Sequence, residues 1–468
     1  MSFIKGDTVV AMATAPLAAG VAVIRISGPK AKGIVNELCP SFANAQPRFM
    51  HYGKLIDRNS TLLDETLMVY FKAPHSFTGE DVVEINCHGG VAVVDGLLNA
   101  LMANDGVRHA EAGEFTRRAF MNDKMDLTAA EGVADLVAAE TEEQKKQALS
   151  QMKGELGVGF ERWRSRIIHM LAHSEAAIDF PDEELDVLAD AGVKLKVDEI
   201  IADLEAAIDT DVGCRLRDGF KVVIIGKPNA GKSSLTNLLT GKDTAIVSAI
   251  EGTTRDVIDT RLDVNGYPII LSDTAGIRET QDEIEREGVS RAKRKVDEAD
   301  LVILVTDGTQ WPDVDADLVG LLKVKRSMVI FSKSDKLNQK VNCEAGFVFN
   351  NKVELKGEEY PAYSVNLTAA DCLPVILNAL GELVSSLFAQ SQQGARLSRE
   401  RHREAVRSAL VHLYRARDLF EGNDFGLSLS ELLAQDLRDA AAAIGTVTGK
   451  TDTEDVLDLV FSTFCIGK

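Results

Sequence analysis

Apolar and polar positions change their spacing along the chain, and each change predicts a different kind of element. Four apolar runs near the N-terminus have the length and composition of strands; they span residues 7–14, 20–27, 67–72 and 82–86. Residues 89–102 follow the last run and have helical spacing. We therefore expect a mixed domain of the α+β class over residues 1–122.

Helical spacing dominates two later stretches, residues 123–216 and 381–468. In the first stretch, apolar residues recur at intervals of three or four, at Leu156, Phe160, Trp163, Ile167 and Leu171. In the second, they recur at Leu410, Leu413, Ala416 and Phe420. Trp163 is therefore predicted to pack between helices. Because the two stretches flank residues 217–380, which have a different pattern, we expect one helical domain with that segment inserted in it.

Residues 217–380 alternate apolar strands with helices, which is typical of an α/β domain. A strand at residues 221–225 runs into the sequence GKPNAGKS at 226–233, and a helical segment follows. This is the G-x-x-x-x-G-K-[ST] pattern between a strand and a helix, so a glycine-rich turn without a ligand is disfavoured. Lys232 can reach the β- and γ-phosphates of a nucleotide, and the Ser233 hydroxyl can ligate Mg²⁺.

Two groups of residues in the same segment predict nucleotide contacts around the phosphates. The phosphate loop itself supplies Asn229, Ala230, Gly231, Lys232, Ser233 and Ser234. The next loop supplies Ser248, Thr253 and Thr254. Thr254 can close over Mg²⁺ and the γ-phosphate as a switch I residue. A strand at residues 268–272 then ends at the switch II sequence Asp273, Thr274, Ala275 and Gly276. Asp273 suits indirect Mg²⁺ binding, and the Gly276 amide can donate to the γ-phosphate.

Two further strand ends predict that the base is guanine. The strand at residues 328–331 runs into Ser332, Lys333 and Asp335. A carboxylate at Asp335 can accept hydrogen bonds from guanine N1–H and the exocyclic amino group, which adenine lacks. Later, the loop of Ser364, Val365 and Asn366 can present backbone amides to guanine O6. The order of these short motifs at successive strand ends predicts a GTPase.

Ile277 follows the switch II sequence at a position of chemical importance. In Ras-like proteins a glutamine at this position orients the attacking water. Isoleucine has no polar group with which to do so. Hydrolysis must therefore use another residue, or the chain acts only as a slow switch.

Length, composition and charge narrow the class of protein. A chain of 468 residues with 45% apolar residues is long enough for two to four domains with substantial cores. It has no run of eighteen apolar residues and no secretory signal pattern, so we expect a cytoplasmic protein without stable membrane insertion. The six cysteines lack metal-ligand spacing and are expected to be free thiols. The net charge of −20 argues against a protein that coats nucleic acid over its whole surface.

Several segments outside the phosphate loop form a second set of motifs, at residues 20–29, 76–81, 88–90, 113–120, 124–127 and 464–468. With these segments the chain resembles the bacterial family of tRNA-modification GTPases called MnmE or TrmE, and the similarity runs essentially the whole length. The resemblance implies an N-terminal tetrahydrofolate-binding domain that dimerises, an α-helical domain and an inserted Ras-like P-loop G domain. The overall class is multidomain α/β.

The resemblance implies a folate site formed by Arg25, Glu84, Lys124 and Lys468. Arginine and lysine suit the carboxylates of a folate glutamate tail, and a carboxylate suits the donor edge of the pterin. The ligand would be 5-formyl- or methylenetetrahydrofolate. From the sequence alone, Arg25 can also be an edge-strand charge and Glu84 a solvent-facing strand residue. Cys465 is implied to act near the folate as a catalytic residue, with a plain buried thiol as the alternative.

The resemblance also implies how hydrolysis proceeds without a switch II glutamine. Two nucleotide domains meet, and K⁺ at their interface is held by the Asn229 side chain and a loop at Ser248, Ile250 and Thr253. A cation beside the β- and γ-phosphates can take the part of an arginine finger. Glu285 is implied to orient the attacking water. The sequence alone leaves Glu285 open as one charge on an acidic helix face.

Together these features predict a GTP hydrolase that supports modification of the wobble uridine of certain tRNAs. The implied reaction adds an aminomethyl-type group at C5 with a folate one-carbon unit, in a homodimer that forms a heterotetramer with the FAD-containing protein MnmG. The alternative is a regulatory GTPase with a folate-sensing dimerisation domain and no modification chemistry.

Ser332 stands where the family has asparagine, so we expect weak nucleotide affinity. An arginine-rich helical segment is predicted to contact tRNA, with pairing to nearby glutamates as the alternative; it contains Arg396, Arg399, Arg401, Arg403 and Arg407.

Overall fold

The computed structural model describes most of the chain and divides it into two compact units. The described residues are 6–179, 192–209, 211–241, 260–272, 293–336, 352–389, 397–421, 427–451, 457, 460–462 and 464–467. Unit 1 comprises Met1–Ala134, Ser150–Lys194 and Arg415–Lys468. Unit 2 comprises Asp135–Leu149 and Leu195–Tyr414.

The N-terminal part of unit 1 is a six-stranded sheet with the strand order β3-β4-β5-β2-β1-β6. Its strands are β1 Thr8–Met12, β2 Ala19–Ser27, β3 Met50–Ile56, β4 Leu62–Phe71, β5 Val82–Gly89 and β6 Val107–His109. Neighbouring strands are antiparallel except β1 and β6, which are parallel. Alternate residues such as Ile24, Met68 and Ile85 face the main core, so their sequence neighbours face the opposite side.

Helices complete unit 1 on both sides of this sheet and beyond it. They are α1 Ala31–Leu38, α2 Val91–Met102, α3 Glu114–Met121, the first part of α4 Leu127–Ala138, the last residues of α5 Glu142–Met152, α6 Glu155–Asp179 and α13 Leu427–Thr448. The helices α6 and α13 pack along each other, and the Ser174 hydroxyl donates to the Ser430 carbonyl over 3.1 Å. Trp163 is buried on α6, as predicted. The row of buried residues on α6 continues at Met170 and not at the predicted Leu171.

Unit 2 contains a seven-stranded sheet with the strand order β12-β13-β11-β10-β7-β9-β8. Its strands are β7 Phe220–Ile225, β8 Thr260–Val264, β9 Tyr267–Ser272, β10 Leu301–Asp307, β11 Arg326–Ser332, β12 Lys352–Leu355 and β13 Glu358–Ser364. The pairs β8–β9 and β12–β13 are antiparallel and the remaining pairs are parallel. The central strands are nearly continuous apolar runs because both faces of the sheet are covered.

Six further labelled helices lie wholly or mostly in unit 2. They are α7 Val193–Asp209, α8 Val212–Asp218, α9 Lys232–Leu239, α10 Ala316–Leu322, α11 Leu373–Ala389 and α12 Glu400–Asp418. The side chains of Leu410, Leu413 and Ala416 on α12 are buried, as their spacing predicts. Among the described residues, none of the helices combines the length and apolar character that crossing a lipid bilayer requires.

Candidate functional site

The loop between β7 and α9 has the backbone conformation that its glycines allow. Gly226 and Gly231 have φ angles of 155° and 104°, a region that side chains rarely adopt. A Cβ on Gly226 would collide with the carbonyl oxygen of Val305. Asn229 adopts a left-handed conformation with φ 59°. The loop is therefore a tight backbone cradle whose amides can turn towards one point.

Lys232 is the first residue of α9, and its ammonium group folds back over this loop. Its Nζ donates to the carbonyl oxygens of Gly226 and Lys227 over 2.9 and 3.0 Å. Ser233 and Ser234 follow at the exposed helix start. The first amides of a helix lack internal partners and carry partial positive charge. The arrangement of cradle, ammonium and helix start favours the binding of an anion such as a phosphate.

Ser332 joins the end of β11 to the phosphate loop. Its hydroxyl is buried, donates to the Ala230 carbonyl over 2.6 Å, and has a second contact with the Thr306 carbonyl at 3.3 Å. Gly231 lies beside Ser332, and a Cβ there would be 3.4 Å from the Ser332 Cβ. The predicted contact of Ser332 with guanine stays a prediction, but this hydroxyl already holds two strand ends and the loop together.

Lys333 lies beside Ser332 in a left-handed conformation with φ 60°, and an ion pair with Asp307 holds it there. The Lys333 Nζ is 2.6 Å from the Asp307 carboxylate, which also accepts hydrogen bonds from the Thr309 amide and hydroxyl. Burial alone would raise the pKa of Asp307, but Lys333 and Thr309 outweigh it and the pKa lies below its ordinary value. The sequence interpretation assigned no role to Asp307, although its position at a strand end was a usable signal.

The two predicted guanine loops lie side by side at the ends of β11 and β13. The Val365 amide donates to the Phe331 carbonyl over 2.9 Å, and the Ser334 amide donates to the Val365 carbonyl over 3.3 Å. Asp335 is exposed in the short 3₁₀ turn Ser334–Lys336. The Asn366 side chain accepts from the amide and hydroxyl of Thr368, which closes the turn after Ser364. The fold therefore places both loops next to the phosphate cradle.

A second group of predicted residues meets on the sheet of unit 1. Arg25 and Glu84 are direct partners on β2 and β5, and their side chains form an ion pair of 2.9 Å. The Arg25 guanidinium lies 5.7 Å from the ring centre of Phe77 and 5.5 Å from that of Phe115. It also donates to the Gly467 carbonyl over 3.4 Å. Both alternatives for these residues are disfavoured, because β2 is not an edge strand and the pair is only partly exposed.

The C-terminal segment is docked on this same region. Ile466 forms an isolated antiparallel bridge with Ala112, and the Gly113 amide donates to the Cys465 carbonyl over 3.3 Å. Phe464 is buried, whereas Cys465 is exposed. The alternative of a plain buried thiol is therefore wrong. The other described cysteines are also free, as expected: Cys39, Cys87, Cys214 and Cys372.

Lys124 reaches a different part of the same loop region. Its Nζ donates to the Pro74 carbonyl over 3.0 Å, and its stem lies beside Gly79, where a Cβ would be 3.4 Å from the lysine. Phe77, which stacks near Arg25, lies between these two positions in the sequence. The loop 73–81 therefore contacts Lys124 through Pro74 and Arg25 through Phe77, so it connects Lys124 with the Arg25–Glu84 pair.

A buried ionic cluster that sequence reasoning missed fixes this loop. Arg118 is fully buried, and its guanidinium pairs with Asp7, Glu80 and Glu114 at 2.5, 3.1 and 2.8 Å. The Ser27 hydroxyl donates to Glu80 over 2.7 Å. Burial would raise the pKa of Glu114, but hydrogen bonds from Arg108, the Glu111 amide and Arg118 bring it below its ordinary value. The only sequence signal was the motif at residues 113–120 itself.

Several predicted site residues lie outside the described residues, and their roles stay predictions. These are Ser248, Ile250, Thr253, Thr254, Asp273, Thr274, Ala275, Gly276, Ile277, Glu285 and Lys468.

Three of the predicted tRNA-contacting arginines, Arg399, Arg403 and Arg407, form ion pairs with acidic residues. Arg399 pairs with Asp135 at 2.7 Å, and Arg403 and Arg407 pair with Glu400 at 3.5 and 2.5 Å. Arg396 lies outside the described residues. The pairs with Glu400 favour the alternative, in which the arginines pair with nearby glutamates, and the tRNA contact stays a prediction.

The phosphate cradle with its neighbouring base loops defines a P-loop nucleotide-binding protein, and comparison with known proteins identifies the family. Residues 8–124 match the family described as "GTP-binding protein TrmE N-terminus", and residues 127–465 match "MnmE helical domain". The proteins named "tRNA modification GTPase MnmE" of Rickettsia bellii and Paramagnetospirillum magneticum are 43% and 42% identical, each over 99% of this chain and 100% of the relative. That of Marinobacter nauticus is 39% identical over 99% of both chains.

The chain belongs to the MnmE family of tRNA modification GTPases. This membership, together with the two observed sheets and the helices around them, confirms the predicted fold class of an N-terminal α+β domain, an α-helical domain and a P-loop G domain.

Proposed function

We propose that this protein hydrolyses GTP and, with the flavin-containing partner MnmG, adds an aminomethyl or carboxymethylaminomethyl group to C5 of the wobble uridine of certain tRNAs. The one-carbon unit comes from a tetrahydrofolate derivative. The observation that carries the proposal is the contact of Arg25 with the C-terminal segment at Gly467, because it brings an exposed cysteine to the candidate folate residues. The proposed domains are residues 1–122, 123–216, 217–380 and 381–468, in a cytoplasmic protein.

In the nucleotide site, the chain's own groups bind and position GTP. Lys232 already lies over the cradle and can exchange its backbone acceptors for the β- and γ-phosphate oxygens. Ser233 and Thr254 would hold Mg²⁺, while Asn229 and the backbone of Ser248, Ile250 and Thr253 would hold K⁺. When bound, these cations supply positive charge where negative charge develops in the transition state. Glu285 would accept a hydrogen bond from the attacking water in place of the missing glutamine.

In the folate site, Glu84 and Arg25 already hold each other in a fixed orientation. A pterin with donors on one edge can bond to the free side of the Glu84 carboxylate, and Phe77 offers a flat apolar neighbour. Lys124 and Lys468 are the cations left for the carboxylates of the glutamate tail. The thiol of Cys465 lies in the segment that Arg25 contacts and is accessible for chemistry beside the folate.

An exposed apolar face supports the homodimer. Met50 and Tyr52 on β3 and Leu67 on β4 are 59%, 58% and 45% exposed. By strand register, Met50 pairs with Val69 and Val69 pairs with Glu84, so this face continues into the Arg25–Glu84 pair. An apolar sheet face of this kind is stable when a second copy covers it. Dimerisation here would place each folate site close to the subunit interface.

The experiment that tests the proposal is mass spectrometry of tRNA nucleosides from a strain that lacks this protein. We expect the modified wobble uridine to be missing and to return when the full-length chain is expressed. A strain with unaltered nucleosides but altered growth or partner binding would instead support a regulatory GTPase with a folate-sensing dimerisation domain.

A further inference from the structure

A cleft on the N-terminal domain has two cationic side chains among its lining residues. It has a volume of about 320 Å³ and is bounded by Pro47, Arg48, Lys72, Ala73 and His75. Two of these residues, Arg48 and Lys72, carry a positive charge, and no acidic residue lines the cleft. Among the residues that the structure describes, no carboxylate forms an ion pair with Arg48 or Lys72. In a chain with a net charge of −20, such an uncompensated cationic cleft calls for an anionic ligand.

Hydrogen bonds to the backbone of the lining residues fix the walls of the cleft. Arg48 has a left-handed backbone with φ 67°, its amide donates to the Tyr70 carbonyl, and its guanidinium donates to the His75 carbonyl over 3.2 Å. On the other side, the His75 amide donates to the Lys72 carbonyl and the Ala73 amide to the Asp81 carboxylate, both over 2.9 Å. The cationic groups are therefore mounted on a fixed turn.

Lys124 connects this cleft to the proposed folate site. Its ammonium donates to the carbonyl of Pro74, the residue between the two lining residues Ala73 and His75. A folate glutamate that reached Lys124 would therefore end beside the cleft. Further glutamates joined through the side-chain carboxyl would each bring one more carboxylate, and Arg48 and Lys72 are positioned to meet them.

We propose that the cleft of Arg48, Lys72 and His75 binds the poly-γ-glutamyl tail of a folate, so that the protein prefers polyglutamylated to monoglutamylated cofactor. The inference rests on the proposed folate function and extends it to the form of the cofactor. A tRNA phosphate is the competing anion, but Lys124 ties the cleft to the folate residues rather than to any tRNA-contacting element of the described chain.

The test compares the binding of monoglutamyl and triglutamyl 5-formyltetrahydrofolate to the full-length protein by isothermal titration calorimetry. We expect the triglutamate to bind about five- to thirtyfold more tightly at low salt, as two or three exposed charge pairs would give, and the difference to shrink in about 0.5 M salt. In the double variant Arg48→Ala/Lys72→Ala the two ligands should bind equally, with monoglutamate affinity retained.

The matched control is Lys153→Ala/Arg162→Ala, which removes the same charge from exposed positions of unit 1 that lie outside the sheet and do not line the cleft. It should keep the preference for triglutamate. Equal binding of both folates to the unaltered protein would overturn the cleft assignment and leave the folate site standing, whereas no binding of either would overturn both. A double variant that loses tRNA affinity and keeps the triglutamate preference would assign the cleft to tRNA phosphate and contradict the proposal.

Discussion

The amide of Gly113 donates a hydrogen bond to the carbonyl of Cys465, which anchors the end of the chain to the loop before α3. Gly113 has a φ of 67°, and a Cβ at this position would lie 2.8 Å from the Phe461 carbonyl and 3.0 Å from the Phe464 side chain. The close approach of the C-terminal segment therefore depends on a glycine at residue 113. The docking keeps the segment that carries Cys465 in contact with Arg25.

Deleting residues 465–468 should separate GTP hydrolysis from the proposed tRNA modification. The deletion removes the Gly467 carbonyl that Arg25 contacts and the exposed thiol, but it leaves the phosphate cradle intact. We expect GTP hydrolysis to stay nearly unchanged, while the modified nucleoside disappears in a complementation assay. If the truncated protein restores the modification, the C-terminal tetrapeptide is not part of the active site.

Gly113→Ala should weaken folate binding without affecting GTP hydrolysis. The added methyl group pushes the C-terminal segment away and costs about 1–2 kcal/mol, which corresponds to roughly five- to thirtyfold in the Kd for 5-formyltetrahydrofolate. The control is Gly154→Ala, because Gly154 also has a positive φ, of 85°, but no atom lies within 4 Å of its added Cβ. Equal effects of the two substitutions would show that backbone strain, not docking, is responsible.

Ser332→Ala should lower nucleotide affinity. The change leaves the buried Ala230 carbonyl without its donor, and an unsatisfied buried group costs about 1–3 kcal/mol, or roughly five- to 150-fold in Kd. Fluorescent GDP binding by stopped flow measures this directly. Ser334→Ala, two residues away, is the control and should bind GDP as the unaltered protein does. An unchanged Kd for Ser332→Ala would mean that the link between β11 and the phosphate loop is dispensable.

Hydrolysis should depend on K⁺ rather than on ionic strength. The prediction rests on Asn229 in the phosphate loop and on Ile277, which cannot orient water. Rates should be high in potassium chloride and low in sodium chloride, and Asn229→Ala should abolish the difference with GDP binding retained. Similar rates in the two salts would reject the potassium site.

Glu285→Ala should lower kcat by roughly tenfold to a thousandfold with little change in KM.

Glu114→Gln should destabilise the N-terminal domain, because it removes one carboxylate from the buried Arg118 cluster. We expect a loss of about 2–3 kcal/mol in the free energy of unfolding measured with urea. The folded pKa of Glu114 is lowered, so its contribution is present above the unfolded pKa of about 4.3 and is lost as the pH falls through the folded value. The difference between variant and unaltered protein should therefore narrow below about pH 4. The exposed Glu111→Gln is the control.

The sequence predicted the phosphate loop and the central strands of unit 2 because continuous apolar runs and a local motif are short-range signals. It did not predict β3, β6 or α1, whose residues are mixed in polarity. β3 is stabilised by pairing with β4, β6 by pairing with the distant β1, and α1 by packing its apolar residues in the core of the sheet. The Arg118 cluster was missed for a related reason. Asp7, Glu80 and Glu114 are far apart in sequence, and only the folded sheet brings them around one guanidinium.

The measurement that tests the central claim most directly is the transfer of a labelled one-carbon unit to tRNA. The purified full-length chain is incubated with MnmG, unmodified tRNA, GTP, and methylenetetrahydrofolate carrying ¹³C in the one-carbon unit, with both glycine and ammonium present. Mass spectrometry of the digested tRNA then follows the wobble nucleoside. We predict that ¹³C appears on that uridine only when GTP is hydrolysed, and that Arg25→Ala prevents it. Modification that proceeds without the label, or labelling that is independent of GTP hydrolysis, would contradict the account.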